Sequence, residues 1–418
     1  MSHSRPVIFY GWYNVLTSFL GMALCYAMFT VFAFGTFVKP LETEFGWQRG
    51  ELSFALTMTN IAVVITSPLL GFVIDRIGVR RVLIPSIILM GLTVLSMTLL
   101  SGNIWHFYVM YFLIPFLGAG TLPQSFSRVI IGWFTRRRGL ALGIALSGFG
   151  VGAALIPSFA QIMIDNYGWR TAYAGFAIAI FCISLPVTLL LLKETPEELN
   201  LQPDGENNIQ TISTITNDYS AGLSSHDAAK TKTYWLILMS FFLVGIGITS
   251  ILAHLVPMLI DRGVAPTTAA FCMTSLGIGL IFGRILAGYL MDQYFAPYIA
   301  AIFLLGLFIG IIILALGTSG VLVFLAAVFV GLATGSEISE IAYICSRYFG
   351  QKAFGQIYGT MFAAFQLGSA FGAPLMGVYY DRVGNYIGAL WLVAGLVFFG
   401  ITLMLLLGPY PDSRNVST

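Results

Sequence analysis

Twelve long apolar stretches, separated by short polar breaks, dominate this sequence. A membrane-spanning helix needs about 20 predominantly apolar residues, and the stretches reach that length. Only 9% of the residues are charged, whereas a soluble globular protein carries roughly 25%. The sequence therefore predicts an all-α polytopic membrane protein. It argues against a soluble enzyme, a nucleic-acid-binding protein and a secreted disulfide-rich domain.

The predicted helices form two sets of six. The first set spans 13–38, 52–74, 82–101, 105–131, 140–163 and 170–192. The second set spans 234–260, 267–290, 296–317, 320–345, 355–380 and 386–408. Between them lies a polar stretch, 193–233, which is rich in Asn, Thr, Ser and Asp and cannot bury an apolar face. We predict two six-helix bundles, 1–192 and 234–418, joined by a flexible cytoplasmic linker.

The positions of Lys and Arg predict the orientation, because cytoplasmic loops carry an excess of these residues. If the N-terminus is cytoplasmic, thirteen of the 20 lie in cytoplasmic loops and tails and five lie on the other side. The remaining two, Arg128 and Arg284, fall inside predicted helices. We therefore expect a multi-pass protein of the cell membrane with both termini in the cytoplasm.

Internal similarity relates the two halves. A Gly-x-x-x-Asp element ends at Asp75 and again at Asp292, an offset of 217 positions. An offset of 216 superposes Gly152 of the fifth helix on Gly368 of the eleventh. Many transporters consist of repeats of this kind, with a binding site near the bilayer midplane.

The segment Gly71–Arg81 contains the end of the second predicted helix and the loop after it, and it combines glycines, an aspartate and arginines. Gly71 permits close helix packing, Asp75 can accept from a helix N-terminus or an arginine, and Gly78 permits the turn that ends the helix. The segment resembles the signature loop of the major facilitator superfamily. The resemblance implies a transporter fold of two six-helix bundles with a gating latch at this loop. The latch residues are Gly71, Asp75, Arg76, Gly78, Arg80 and Arg81.

Four short segments resemble the monocarboxylate transporters and their bacterial relatives. They are Tyr10–Trp12, Trp133–Gly143, Pro196–Gly205 and Ser346–Gly350. Animal members carry an acid near the start of helix 1, where this chain has Tyr10, and a lysine within helix 1, which is uncharged here. They also carry an acid one turn before the arginine of helix 8, where this chain has Leu280. The proton-coupling residues of that group therefore do not transfer directly.

Ionisable residues within a span are costly and mark functional candidates. Arg284 lies eight residues before Asp292, about 12 Å inside the membrane face at 1.5 Å per residue. It stands where the resembled group places its substrate-carboxylate arginine. A guanidinium stays charged and can hold a carboxylate bidentately. Arg128 lies at a similar computed depth, where it could help to bind a dianion, close an inner gate or extend to the interface.

Two acidic residues, Glu337 and Glu340, share a face of the tenth predicted helix. They bracket the computed depth of Arg284 and are candidates for proton coupling, with Glu337 favoured because it is deeper. Permanent structural pairing with Arg284 is the alternative. His254, near the outer mouth, is a further candidate for coupling or a simple hydrogen-bonding group. Additional polar residues predicted to line a substrate cavity are Gln124, Tyr343 and Gln366.

These features favour secondary transport of a small organic anion, most simply a monocarboxylate, by alternating access with proton coupling. Exchange of dicarboxylates or other anions, and export of a metabolite or siderophore, are alternatives within the same class. A nutrient sensor on a transporter fold is an alternative from another class. No enzymatic or nucleotide-binding motif is present, so we expect no cofactor, no metal and no nucleic-acid partner. The protein is expected to act as a monomer in the lipid bilayer.

Overall fold

Twelve helices long and apolar enough to span a membrane are found in the computed structural model, which describes residues 9–205, 222–317 and 320–411. The first six are α1 (Gly11–Phe45), α2 (Glu51–Ile77), α3 (Val79–Leu99), α4 (Ile104–Trp133), α5 (Arg138–Tyr167) and α6 (Trp169–Leu191). The second six are α7 (Lys232–Asp261), α8 (Phe271–Gln293), α9 (Ala296–Ala315), α10 (Val321–Phe349), α11 (Phe354–Val383) and α12 (Ile387–Leu405). The predicted all-α polytopic membrane fold is confirmed.

Three of the first six spans are interrupted. A π-helical turn lies in α1 at Met28–Phe32, and another lies in α6 at Ile180–Ser184. A 3₁₀ turn at Gly118–Thr121 divides α4, and the helix resumes at Pro123–Trp133. Such irregular turns often mark functional positions in helices. The break in α4 separates the part that carries Gln124 and Arg128 from the rest of the span.

The first helix is longer than predicted. Hydropathy places its end near residue 38, but α1 continues to Phe45. It stops where Gly46 adopts a left-handed backbone with φ of +70°, a common way to end a helix. Hydropathy detects the apolar part of a span and misses a polar extension such as the one that contains Glu42.

Close helix packing recurs at equivalent positions of the two halves. A Cβ atom added to Gly152 of α5 would collide with the carbonyl oxygen of Ala23 in α1. A Cβ atom added to Gly368 of α11 would collide with the carbonyl oxygen of Phe242 in α7. These are the glycines that the sequence offset superposes, so the repeat extends to the way in which the helices pack.

The chain divides into two compact units. Met1–Thr66 with Leu70–Tyr219 form the first unit, and Ser67–Leu69 with Ser220–Thr418 form the second. The division falls within the polar stretch 193–233. Each unit contains six of the spanning helices, with the three residues 67–69 of α2 counted in the second unit.

Both described ends of the polar stretch carry defined structure. A 3₁₀ turn occupies Pro196–Leu199, and a short helix occupies Ser225–Ala229. Gly222 forms an antiparallel bridge with Gly350, which follows α10. Residues 206–221 lie outside the described part of the chain, so the predicted flexibility of the linker stays a prediction there.

Candidate functional site

Arg284 is a buried cation in the middle of the second unit. Its side chain is 1% exposed, and its Nε atom donates a hydrogen bond to the Gly335 carbonyl oxygen at 2.8 Å. Gly335 lies on α10, so this bond fixes the stem of the guanidinium against the neighbouring helix. A buried charge requires such partners because its desolvation is expensive.

The helices α8 and α10 cross closely enough for this bond because glycines line their contact. Gly279 and Gly283 on α8 face Gly331 and Gly335 on α10, and on each helix the pair is four positions apart. A Cβ atom at Gly335 would collide with the carbonyl oxygen of Leu280, and the other three glycines make similar approaches. Small residues at this spacing let two backbones come together. The crossing therefore positions Arg284.

The α10 face beside Arg284 carries two buried acids. Glu337 and Glu340 are 5% and 0% exposed. The Arg284 charge acts on the Glu337 carboxylate, and so does the charge of Glu340. Oε2 of Glu337 and both carboxylate oxygens of Glu340 have no hydrogen-bond partner among the described residues. Arg284 and Glu337 thus form an interacting pair, and Glu340 in turn interacts with Glu337.

Two of the other predicted cavity residues lie in the second unit. Tyr343 is three residues beyond Glu340 on α10, so the two side chains share a face, and Tyr343 is buried. Gln366 lies on α11 and is half-buried. The structure therefore groups Tyr343 with the acidic face of α10, whereas Gln366 belongs to a different helix. Their contact with a substrate stays a prediction.

His254 is held at one end of α7. Its Nε2 atom lies 3.0 Å from the carbonyl oxygen of Ala373 in α11, and a carbonyl can only accept, so Nε2 carries the hydrogen. The imidazole ring also lies 5.4 Å from the Tyr386 ring. These contacts tie α7 to α11. The structure supports the hydrogen-bonding interpretation of His254, and its role in proton coupling stays a prediction.

In the first unit, Arg128 pairs with the predicted gating loop. Its Nη1 atom lies 3.2 Å from Oδ1 of Asp75, and both side chains are largely buried. Asp75 is in the last turn of α2, and Arg128 is in the part of α4 that follows the break. Of the alternatives left open by the sequence, this contact favours a gate over a second anion-binding arginine.

The turn after α2 has the geometry expected for Gly78. Its φ of +89° lies in the region that favours glycine, and α3 begins at the next residue. The Arg76 guanidinium lies 3.9 Å from the centre of the Phe72 ring. Arg80 donates from Nη2 to the Leu189 carbonyl oxygen at 2.8 Å.

A cavity of about 610 Å³ borders this loop. Its lining includes Gly78, Arg80, Arg81, Glu194 and Glu198.

The remaining predicted cavity residue, Gln124, lies on α4 directly after the break. Its side chain is fully buried, as are those of Ser125 and Ser127. The neighbouring Pro123 occupies the first turn of the resumed helix, where its missing N–H costs nothing. The Oγ atoms of Ser125 and Ser127 have no hydrogen-bond partner among the described residues. This part of α4 therefore has a polar buried face.

Two acidic residues after α6 were not singled out by the sequence analysis. Glu194 accepts hydrogen bonds from the backbone N–H groups of Val79 and Arg80, at 2.8 and 3.3 Å. Asp204 accepts from those of Thr135 and Arg136, at 2.9 and 2.8 Å. The segment Pro196–Gly205 was noted only for its resemblance to monocarboxylate transporters. Because hydrogen bonds between residues distant in sequence have no periodic pattern, hydropathy gave no signal for them.

Comparison with known proteins assigns the fold to a family. The sequence matches the model of the Major Facilitator Superfamily over residues 19–369 and 237–418. Human monocarboxylate transporter 12 is 24% identical over 429 residues, covering 96% of this chain and 81% of that protein. The uncharacterized MFS-type transporter YcxA of Bacillus subtilis strain 168 is 24% identical over 398 residues, covering 92% and 91%.

Solved structures show the same architecture. The proton:xylose symporter XylE, bound to 6-bromo-6-deoxy-D-glucose, matches with a TM-score of 0.77. The two chains are 17% identical, and the match covers 97% of this chain and 98% of XylE. At that identity the match describes the fold and carries no information on the substrate. With a family match across both bundles, and relatives that are transporters rather than enzymes, this chain belongs to the Major Facilitator Superfamily.

Proposed function

We propose that this transporter carries a small monocarboxylate by alternating access, with Arg284 as the group that holds the carboxylate. The observation that carries the proposal is a buried guanidinium, fixed through Nε by Gly335 at the α8–α10 crossing. A guanidinium presents a planar set of donors that matches a carboxylate. The similarity to human monocarboxylate transporter 12 over 96% of the chain supports the same substrate class.

We propose that transport is coupled to protons through α10. A buried carboxylate is costly in its charged form. Glu337 interacts with the Arg284 charge that would bind the substrate, and Glu340 interacts with Glu337. A bound anion competes with Glu337 for Arg284 and thereby favours protonation of the acid. Loading of the anion and of a proton then accompany each other, which gives symport.

The dicarboxylate alternative has less support. It requires a second cation for the second carboxylate, and Arg128 was the candidate. Because Arg128 pairs with Asp75 at 3.2 Å, that cation is engaged by the gating loop. One buried arginine together with a neighbouring acid fits a monoanion and a proton better than a dianion.

The distribution of arginines supports an orientation of the protein in the membrane. Residues 76–81, around the turn between α2 and α3, and residues 136–138, at the start of α5, together carry six arginines, which favours the cytoplasm for this side. We propose a monomer in the cell membrane with both termini cytoplasmic. The gating loop Gly71–Arg81 then lies at the cytoplasmic face.

Uptake of radiolabelled solutes into proteoliposomes tests the proposal. A panel of mono- and dicarboxylates is offered with and without an acidic pH on the outside. We expect a monocarboxylate to accumulate and the acidic outside to increase its accumulation. Arg284→Ala should abolish uptake, whereas Arg382→Ala, which removes an exposed arginine of α11, should preserve it. Uptake of neutral solutes or dicarboxylates alone would contradict the proposal.

A further inference from the structure

The segments that follow α6 and α12 each form a hydrogen bond to the first residue of another helix in the same unit. After α6, Glu194 accepts the N–H of Val79, the first residue of α3, at 2.8 Å. After α12, the hydroxyl of Tyr410 accepts the N–H of Ala296, the first residue of α9, at 3.0 Å. In both units, therefore, the segment after the sixth helix supplies a hydrogen-bond acceptor to the third helix.

The two contacts are equivalent by sequence position as well as by geometry. Glu194 and Tyr410 are 216 positions apart, and Val79 and Ala296 are 217 apart. These are the offsets that relate Gly152 to Gly368 and Asp75 to Asp292. A glutamate and a tyrosine thus occupy equivalent positions in the two repeats, although their side chains differ in chemistry.

Each helix needs the remote acceptor because its own preceding residue supplies none. The first N–H groups of a helix have no partner within that helix, and the preceding residue usually provides a side-chain acceptor. That residue is Gly78 before α3 and Phe295 before α9, and neither side chain caps its helix. The remote residues therefore take the place of local caps.

Neighbouring helices hold the segment that carries Glu194. The N–H of Lys193 donates to Oδ1 of Asn14 in α1 at 3.0 Å. The carbonyl oxygen of Lys193 accepts from the indole of Trp133 in α4 at 2.9 Å. The N–H of Glu194 donates to Glu198 at 2.9 Å. The carboxylate is thus presented to α3 from a segment attached to α1 and α4.

Aromatic contacts hold the second acceptor. The Tyr410 ring lies 4.9 Å from the Phe295 ring and 5.1 Å from the Tyr348 ring. The guanidinium of Arg347 lies 4.7 Å from its centre. Burial raises the pKa of the Tyr410 phenol, so the acceptor remains neutral near pH 7. The first repeat therefore has a charged cap and the second has a neutral one.

We propose that Glu194 and Tyr410 are repeat-equivalent remote caps that join α3 to the end of α6 and α9 to the end of α12. In the first unit the cap also positions the gating loop, because Val79 and Arg80 directly follow Gly78. Glu194 is thus a positioning residue for the arginines of that loop. The caps themselves are independent of the substrate assigned to Arg284, whereas the positioning role, which is tested by transport, rests on the proposed function.

Hydrogen–deuterium exchange of the protein in lipid nanodiscs tests the caps without any substrate. The amides of Val79 and Arg80 have no other acceptor in their helix, so Glu194→Ala should speed their exchange by about tenfold or more, as expected when a charge-assisted bond is lost. Glu194→Gln keeps one carbonyl acceptor and should give a smaller increase. Glu197→Ala, which alters an exposed acid of the same segment, is the matched control.

Tyr410→Phe tests the equivalent cap, since it removes the hydroxyl and retains the ring. We expect faster exchange at Ala296 and unchanged exchange at Val79. The outcomes that overturn the proposal are unchanged exchange at residues 79–80 in both Glu194 variants, equal acceleration in Glu197→Ala, or unchanged exchange at Ala296 in Tyr410→Phe. If Glu194→Ala does not fold, the glutamine and phenylalanine variants decide the question.

A transport measurement separates positioning from general stability. In Glu194→Gln we expect slower turnover with substrate affinity within a few-fold of the parent, because the gating loop is displaced and the binding residues are not. An equal reduction in turnover by Glu197→Ala would contradict the positioning role. A loss of affinity with unchanged turnover would do so as well.

Discussion

The Nη1 atom of Arg128 lies 3.2 Å from Oδ1 of Asp75, which joins the resumed part of α4 to the last turn of α2. The side chains are 15% and 12% exposed, so the two opposite charges stabilise each other in a largely buried position. Removal of one member of such a pair is destabilising, because the remaining buried charge loses an opposite charge beside it. The pair can therefore influence which conformation of the transporter is populated.

Asp75→Asn should reduce turnover and leave equilibrium affinity within a few-fold, because the variant removes the charge from the gate and not from the binding site. Turnover is measured by exchange in proteoliposomes and affinity by equilibrium binding. Arg128→Gln should reproduce the Asp75→Asn effect, and the double variant should be less impaired than the two effects combined. If Arg128→Gln loses affinity while Asp75→Asn does not, Arg128 contacts the substrate.

Arg284→Lys should weaken substrate binding by about tenfold or more, because a lysine keeps the charge and loses the planar set of donors. Arg284→Ala should abolish binding. The double variant Arg284→Ala with Glu337→Gln separates two roles, since it removes both members of the interacting pair. We expect its thermal stability to recover while binding stays absent. Recovery of binding in the double variant would make Arg284 a structural counter-ion and nothing more.

Gly335→Ala should lower the free energy of unfolding by about 1–3 kcal/mol, the usual cost of overpacking. The reason is that the new methyl group would collide with the backbone of Leu280. It should also displace Arg284, whose Nε bond ends on Gly335. Gly277→Ala is the matched control on α8, where an added Cβ has open space. The control should be neutral or slightly stabilising. Equal effects of the two variants on the melting temperature would contradict the close crossing.

The sequence was sufficient for the twelve spans and for the glycine positions that repeat in the two halves, because hydropathy and glycine spacing are local properties. Gly152 and Gly368 illustrate this, since an offset in the sequence corresponds to the same contact in both bundles. The interaction of Arg284 with Glu337 was also predictable, because counting residues along the two helices places them at similar levels.

Contacts between residues distant in sequence could not be predicted from hydropathy, glycine spacing or residue counts. The partner of Arg128 was not predictable, because counting residues along α4 gives a depth and does not identify the neighbouring side chain, which is Asp75. Glu194 appeared to lie in a flexible linker, whereas its carboxylate caps α3. A polar composition predicts exposure, but it contains no information on which backbone N–H groups lack a local acceptor.

The acids of α10 provide the test of coupling. If substrate binding at Arg284 favours protonation of Glu337, then Glu337→Gln, a permanent mimic of the protonated acid, should abolish accumulation driven by a pH gradient and spare exchange of labelled for unlabelled substrate. Glu340→Gln should have the smaller effect, because the Arg284 charge acts directly on Glu337. Accumulation is measured in proteoliposomes with acid outside, and exchange is measured without a gradient.

If both variants still accumulate substrate in response to pH, neither acid is the coupling site, and His254→Gln becomes the next variant to examine. If both variants lose exchange as well as accumulation, the acids are required for the binding site itself and coupling must reside elsewhere.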